Sequence, residues 1–339
     1  MMLLAGDIGG TKTVLAAYRQ DSHPASPLEE MTFPSADYPS LEAICQTFFD
    51  QQNLSGPDFA AATFGVAGPV VSGKSSITNL PWEMDAAQMA QTLEIPNVTL
   101  INDLVSIASA IPGLPATDLH TINEGHAIAQ GPIAVVAPGT GLGAAYLVHN
   151  GIRYQAFPSE GGHADFGPNN EIENELLFFL QKKFGSDSGQ VGHISWERVC
   201  SGSGIPNIYE FFKQSGTGQE DPKVVDQIAA GGDIAPIVIN AALRNEPCSL
   251  CHQTLNTFVS ILGAEAGNMA LNVLATGGLY LGGGIPPRIL AALEKPVFME
   301  AFLNKGRLAS VLKDIPVHVI LNPKAALFGA AYHGLVTLL

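Results

Sequence analysis

Two short turns rich in glycine and threonine carry the clearest chemical signal in this chain of 339 residues. Gly139-Thr140-Gly141-Leu142-Gly143 interrupts an apolar run from Ile133 to Val148, and Asp7-Ile8-Gly9-Gly10-Thr11-Lys12-Thr13 interrupts a similar run from Met2 to Tyr18. Both read as strand, turn, strand, because the flanking runs are apolar and too short for surface helices. Glycine lets backbone N–H groups approach a ligand closely, and successive N–H groups in such a turn form an anion-binding concavity. A phosphate group fits that description. One hairpin alone could be an ordinary β-turn that needs glycine for its geometry; the chain has two, one in each half.

Polar side chains gather at three further places. Asn102-Asp103 follows the apolar run Val98–Ile101 and precedes helical spacing at Leu104, Ile107 and Ala108. Ligands of open α/β sheets bind outside the carboxyl ends of strands, yet Asn and Asp are also favoured helix caps, so binding and capping both remain open. Glu160, His163 and Asp165 fall within six residues of a Gly- and Pro-rich loop, 158–168. That spacing leaves metal geometry unspecified and suits polar recognition of a hydroxylated ligand, the alternative being a solvated loop. Gly282-Gly283-Gly284, between a strand and Pro286-Pro287, could admit a flat ring against bare backbone.

Two motifs are set aside. Gly68 to Ser75 matches the P-loop pattern, Gly, four residues, Gly-Lys-Ser, but that mechanism needs a helix directly after the Lys-Ser pair. Ser76 to Pro81 reads as a return strand, which makes Ser72-Gly73-Lys74 a hairpin turn. Cys248-Ser249-Leu250-Cys251-His252 has the spacing of c-type haem attachment, and Cys-x-x-Cys alone suggests redox or zinc chemistry. The N-terminus carries no export signal and no second Cys pair exists, so all four cysteines read as ordinary thiols.

The elements that must position these residues follow from apolar periodicity. Helices are expected over Ser40–Gln51, Asp85–Leu93, Ile172–Phe184, from Asp233 to about Asn245, through Leu255–Ala266 and over Ala325–Leu338, with a short one opening at Ser195. Strands are expected at Phe59–Ala67, Val98–Ile101, Leu279–Leu281 and Val317–Leu321. Strands alternating with helices give a mixed α/β architecture. The hairpin pair is the only repetition.

Composition narrows the function classes. The chain is 46% hydrophobic and 14% charged, against a typical charged share of about 25%. A net charge of −15 opposes nucleic acid and anionic membranes as partners, since both need a basic face. No signal peptide or run of about 18 apolar residues is present, so a cytoplasmic protein is expected.

Taken together, Asp7 to Thr13, Leu100 to Asp103, Pro138 to Gly143, Glu160 to Asp165, Glu197 to Gly204 and Gly282 to Ile285 resemble the bacterial glucokinase family of the actin-like ATPase superfamily. The likeness runs in order along the whole chain and includes Thr78-Asn79-Leu80-Pro81-Trp82. Similarity to the repressor and sugar kinase (ROK) group is weaker, because that group's cysteine-rich zinc motif is missing after His163.

The resemblance implies a two-domain actin-like ATPase (ribonuclease H-like) fold, with mixed β-sheets flanked by helices and an interdomain cleft. Residues 1–112 with 316–339 would form the small domain and 113–315 the large one. It further implies a homodimer, with glucose and ATP as substrates. By likeness, Asp103 is the base for the sugar 6-hydroxyl, and Asn102, Glu160, His163 and Glu197 bind the other hydroxyls. Gly9, Gly10, Thr11 and Lys12, with Gly139, Thr140, Gly141 and Gly143, would hold the phosphates, and Gly282, Gly283 and Gly284 would lie at the adenosine. Only Lys12 is basic in these hairpins, so N–H groups, hydroxyls and Mg²⁺ would carry the phosphate charge, with Asp7 anchoring the Mg²⁺ through water. Rival readings are a kinase for another hexose or an N-acyl hexosamine, a P-loop NTPase using Lys74, and a non-enzymatic sugar sensor.

Overall fold

The computed structural model describes residues 2–77, 80–185, 191–244, 246 and 248–338. The expectations that involve Thr78, Asn79 and Asn245 lie outside these residues. The chain folds as two compact units: Met1–Asp118 with Asn150–Pro158 and Asn322–Leu339, and Leu119–His149 with Ser159–Leu321. The domain boundaries expected from the resemblance put residues 150–158 in the larger domain. Here Arg153 Nη1 donates to the carbonyl of Val336 in the C-terminal helix, a bond that ties this segment to the first unit.

In the first unit, β1 (Met2–Ile8), β2 (Lys12–Arg19), β3 (Glu29–Pro34), β4 (Phe59–Val66) and β7 (Val98–Asn102) form one sheet in the order β3-β2-β1-β4-β7. A separate two-stranded ribbon pairs β5 (Lys74–Ser76) with β6 (Glu83–Asp85). β1 runs antiparallel to β2 and parallel to β4, which runs parallel to β7. Side chains alternate across a strand, and both faces of β1 are covered. Leu4 and Ile8 join a core with Ile44, Phe48 and Phe49 from the helix Leu41–Gln52. Leu3 and Ala5 join another with Leu327, Ala330 and Ala331 from the helix Ala325–Leu338. The Leu41–Gln52 helix starts where expected, with Ser40 Oγ accepting the Ala43 N–H at 3.3 Å.

The segment that matches the P-loop pattern is a hairpin. Val71 and Lys74 exchange backbone hydrogen bonds of 2.9 and 3.0 Å around Ser72 and Gly73, both at positive φ. β5 follows instead of a helix, and Lys74 is tied across the ribbon to Asp85 at 3.0 Å.

The second sheet is built from β8 (Leu119–Asn123), β9 (Ile133–Pro138), β10 (Leu142–His149), β11 (Tyr154–Ser159), β12 (Gly278–Leu281) and β13 (Val317–Ile320), in the order β11-β10-β9-β12-β13-β8. Again a hairpin, β9–β10, is followed by parallel strands, β12 on β9 and β13 on β12. The two glycine hairpins therefore occupy equivalent places in two sheets of like topology, so their repetition reflects a repeated fold unit.

The second unit's core is carried by the helix Ser249–Val273, with Phe258, Ile261, Leu262 and Ala266 buried. Gly263 and Gly267 let the helix Pro296–Leu303 approach closely: a Cβ on them would lie 2.3 Å from Phe298 O and 2.6 Å from Phe302 O. Fully buried Glu173 accepts hydrogen bonds from Asn169 N, Asn170 Nδ2 and Ser260 Oγ at 2.8–2.9 Å, so its desolvation is offset. Neither the strand β3 nor the Pro296–Leu303 helix is among the elements expected from the sequence. The helix that Asp233 caps ends at Ala242, and Ser195 precedes a short 3₁₀ turn without capping it by its side chain.

Burial raises the carboxyl of Glu265, on the central helix, from 4.5 to about 7, against opposing pulls from Asn268 and Lys305. A raised folded-state value means that the protonated form favours the fold. This contribution is full below pH 4.5 and is lost as pH rises through about 7. Glu265→Gln should therefore remove a loss on the order of 2–3 kcal/mol that the wild type undergoes between pH 5 and 8.5. Denaturant unfolding at the two pH values reads this directly, and parallel pH dependence in the two proteins would contradict it.

Candidate active site

Ile8, Val66 and Asn102 lie side by side at the carboxyl ends of β1, β4 and β7. The first glycine turn, the Ala67-Gly68 loop and Asn102-Asp103 thus leave the sheet at one edge, the place where ligands bind in open sheets. Asn102 caps the helix Asp103–Ala110: its Oδ1 accepts from Leu104 N at 2.9 Å and Val105 N at 3.4 Å, and its Nδ2 donates to Gly68 O at 3.1 Å. Asp103 is the first helical residue, half-buried, with Oδ1 accepting from Leu104 N at 2.9 Å. Gly65 makes room for this helix, since a Cβ there would lie 2.8 Å from Ser106 Oγ.

The structure brings Asp7 and Asp103 within electrostatic reach of each other. Burial first, and then the Asp103 carboxylate, pushes the Asp7 carboxyl up to about 6, while Lys12 opposes them. Beyond Asp7 the turn is held from below. Gly9 N–H donates to Lys12 O at 3.0 Å, and Ser35 captures two turn carbonyls, Gly9 O through its Oγ at 2.7 Å and Thr11 O through its N–H at 3.1 Å. Among the described residues, the N–H groups of Gly10 and Thr11 have no protein partner.

The second unit repeats the device. Gly139 N–H donates to Gly141 O, while Gly139 O and Thr140 O accept from Gly202 N at 2.7 Å and Ser203 N at 3.2 Å. The N–H groups of Thr140 and Gly141 are left without a protein partner among the described residues. Gly143 sits inside the ladder opposite Ala137, as a strand residue beside the turn. Glu197 is docked on this hairpin: its Oε2 accepts the Leu142 N–H at 3.0 Å and occupies the space that a Cβ on Gly141 would need, 2.5 Å away.

The loop with Glu160 and His163 is a 3₁₀ turn laid against β10, where Gly162 would have its Cβ 2.2 Å from Leu142 O. Backbone bonds from Phe166 N to Ile194 O and from Trp196 N to Ala164 O join it to the segment carrying Glu197. Glu160 and His163 are mostly exposed, with Oε2 and Nε2 4.0 Å apart. Asp165 instead pairs with His193 at 2.8 Å.

Gly282, Gly283 and Gly284 rest on the end of β9. Gly282 N–H donates to Val136 O, Ile285 N–H to Pro138 O, and a Cβ on Gly283, at φ +80°, would lie 2.5 Å from Pro138 O. Beside them opens a cavity of about 400 Å³ that joins Gly139 and Thr140 to Gly284 and Ile285. Ser203, Pro236, Ile239 and Arg288 also line it, none of them marked as a site residue by the sequence, as does Asp233, which reads there only as a cap. Asp233 does cap its helix, accepting Ala235 N–H at 3.2 Å. Ser203 falls in the Glu197 to Gly204 motif, which gives it no role of its own, and nothing in the local sequence of Arg288 separates it from other loop residues.

All four cysteines are buried and unpaired, and burial raises the thiols of Cys45, Cys200 and Cys251, which keeps them protonated. No described helix is long and apolar enough to cross a membrane.

Comparison with known proteins agrees with this geometry. The family model described as Glucokinase matches residues 4–335. A glucokinase of Nostoc punctiforme is 41% identical over 340 residues, covering 97% of this chain and 98% of that one. One of Psychromonas ingrahamii is 37% identical over 327 residues, covering 96% and 95%. The crystal structure of a glucokinase from an Antarctic psychrotroph superimposes with a TM-score of 0.80 at 30% identity, over 98% of both chains. A ROK family glucokinase from Streptomyces griseus, at 17% identity and a TM-score of 0.62 over 98% and 99%, shares the fold alone. The α/β architecture expected from the sequence is thus the actin-like ATPase fold of these kinases, and the chain belongs to the glucokinase family.

Proposed function

We propose that the protein transfers the γ-phosphoryl group of ATP to the 6-hydroxyl of glucose. The observation that carries this reading is the docking of Glu197 on the second glycine hairpin, which makes a carboxylate suited to sugar hydroxyls and an anion-binding turn one piece of structure. Phosphoryl transfer asks the protein mainly for positioning and charge stabilisation, which backbone N–H groups supply without reorganising.

In this reading Asp103 accepts the proton of the 6-hydroxyl. It stands at the start of the helix Asp103–Ala110, at the sheet edge where the first glycine turn also emerges. Asn102, Glu160, His163 and Glu197 hold the remaining hydroxyls. Gly9 to Lys12 and Gly139 to Gly143 hold the phosphates, and the cavity beside Gly282, Gly283 and Gly284 takes the adenosine, with Asp233 facing it as a hydroxyl acceptor. The reading further takes residues 1–112 with 316–339 as the small domain and 113–315 as the large one, and the working form as a cytoplasmic homodimer.

The donor set around Asp7 fits Mg²⁺. Two carboxylates lie within reach of each other, and burial has raised one of them with only Lys12 in opposition, a deficit of positive charge that a hard cation relieves. Asp7 would hold it, through water, together with the nucleotide phosphates. When bound, the ion would offset phosphate charge.

Asp103→Asn keeps the shape and a hydrogen bond but removes the base, so turnover should fall about 10²-fold or more while calorimetry still detects glucose binding. Turnover within a factor of two of wild type would falsify Asp103 as the base. Coupled assays on glucose, other hexoses and N-acyl hexosamines decide the sugar, with glucose expected to give the highest kcat/KM. Lys74 is committed to Asp85 in a hairpin, so Lys74→Ala should leave nucleotide affinity unchanged, whereas Gly141→Val should abolish turnover by blocking the turn and displacing Glu197. The reverse pattern would revive the P-loop reading.

A further inference from the structure

We infer that Ser35 is a positioning residue for the phosphoryl donor. It sits directly after β3, fully buried, and touches the first glycine turn from the side opposite to any ligand of the turn's free N–H groups. Gly9 O carries no proton, so the single hydroxyl proton of Ser35 goes to Gly9 O at 2.7 Å and Thr13 Oγ1 donates to Ser35 Oγ at 3.0 Å. The consequence lies in the peptide plane. Gly9 C=O and Gly10 N–H belong to one planar trans unit and point in opposite directions. Drawing Gly9 O onto Ser35 therefore aims Gly10 N–H the other way. The Ser35 N–H does the same for Lys12 N–H through Thr11 O at 3.1 Å.

Such a clamp is needed because glycine on both sides of a peptide makes its rotation easy. Without the hydroxyl, the Gly9–Gly10 peptide could turn a carbonyl oxygen toward the site, which repels phosphate. The second hairpin solves the same problem with main-chain donors. Gly202 N on Gly139 O orients Thr140 N–H, and Ser203 N on Thr140 O orients Gly141 N–H. In the first hairpin a side chain has this task, so it can be removed by substitution.

The inference rests on the proposed phosphate role of the first hairpin, and the experiment separates the two. Ser35→Ala should raise the KM for ATP about 10-fold, with the KM for glucose within twofold of wild type. Thr13→Val removes an equally buried hydroxyl but leaves Ser35 on Gly9, so its KM for ATP should stay within about threefold. Should Ser35→Ala fail to fold, Ser35→Cys fills the site with a slightly larger side chain, loses most of the donor strength and reads the same quantity. Lower thermal stability in both serine and threonine variants with an unchanged KM for ATP would reduce Ser35 to a structural role and overturn the inference. Gly10→Val tests the reading beneath it: if that variant leaves the KM for ATP unchanged, the hairpin is not a phosphate site and the functional reading itself fails.

Discussion

A chain of net charge −15 that handles a polyanion has few basic side chains to set against it. In the proposed reading peptide N–H groups supply much of the positive potential. Each glycine turn leaves two successive N–H groups without a protein partner among the described residues, while neighbouring turn carbonyls are held, Gly9 O and Thr11 O by Ser35 in one case and Gly139 O and Thr140 O by Gly202 and Ser203 in the other. Paired carbonyls and free N–H groups make the turn a local dipole of fixed direction. Other features of the two sites follow from that arrangement. β3 must end just before Ser35, the segment after Glu197 must fold back onto Gly139 and Thr140, and Gly141 must lack a side chain so that Glu197 can lie over it.

The hairpin occurs twice because the sheet unit that carries it does. Both sheets contain a hairpin with parallel strands beside it, so each turn emerges at the strand ends where loops can reach it. In the first sheet those ends also deliver Asn102 and Asp103. In the second, the neighbouring strand delivers Gly282 to Gly284 and one wall of a cavity large enough for a nucleoside-sized ligand.

Local pattern makes much of this legible. Turn chemistry reveals both hairpins and correctly turns Gly68–Ser75 from a P-loop into a β-turn, because a β-branched, Pro-ended segment cannot start the required helix. Apolar periodicity locates the Leu41–Gln52 and Ala325–Leu338 helices to within a residue. What stays hidden depends on contacts distant in sequence. Ser35 is 26 residues from the carbonyl it holds, and nothing around it marks a buried hydroxyl. β3, with Glu29 and Glu30 at one end, lacks the strong apolar run of a central strand because it lies at a sheet edge. Asn102 reads from the sequence as either cap or binder; it does cap the helix, using its carbonyl oxygen, while its amide nitrogen fastens the Gly68 loop.

The direct measurement is of the N–H groups themselves. Amide chemical shifts of ¹⁵N-labelled protein, followed while a non-hydrolysable ATP analogue and Mg²⁺ are added, should move most at Gly10, Thr11, Thr140 and Gly141, with Gly73 to Ser76 unmoved. Largest shifts at Gly73 to Ser76, or saturation of the protein with nucleotide while all four turn amides stay in place, would contradict backbone capture of the phosphates.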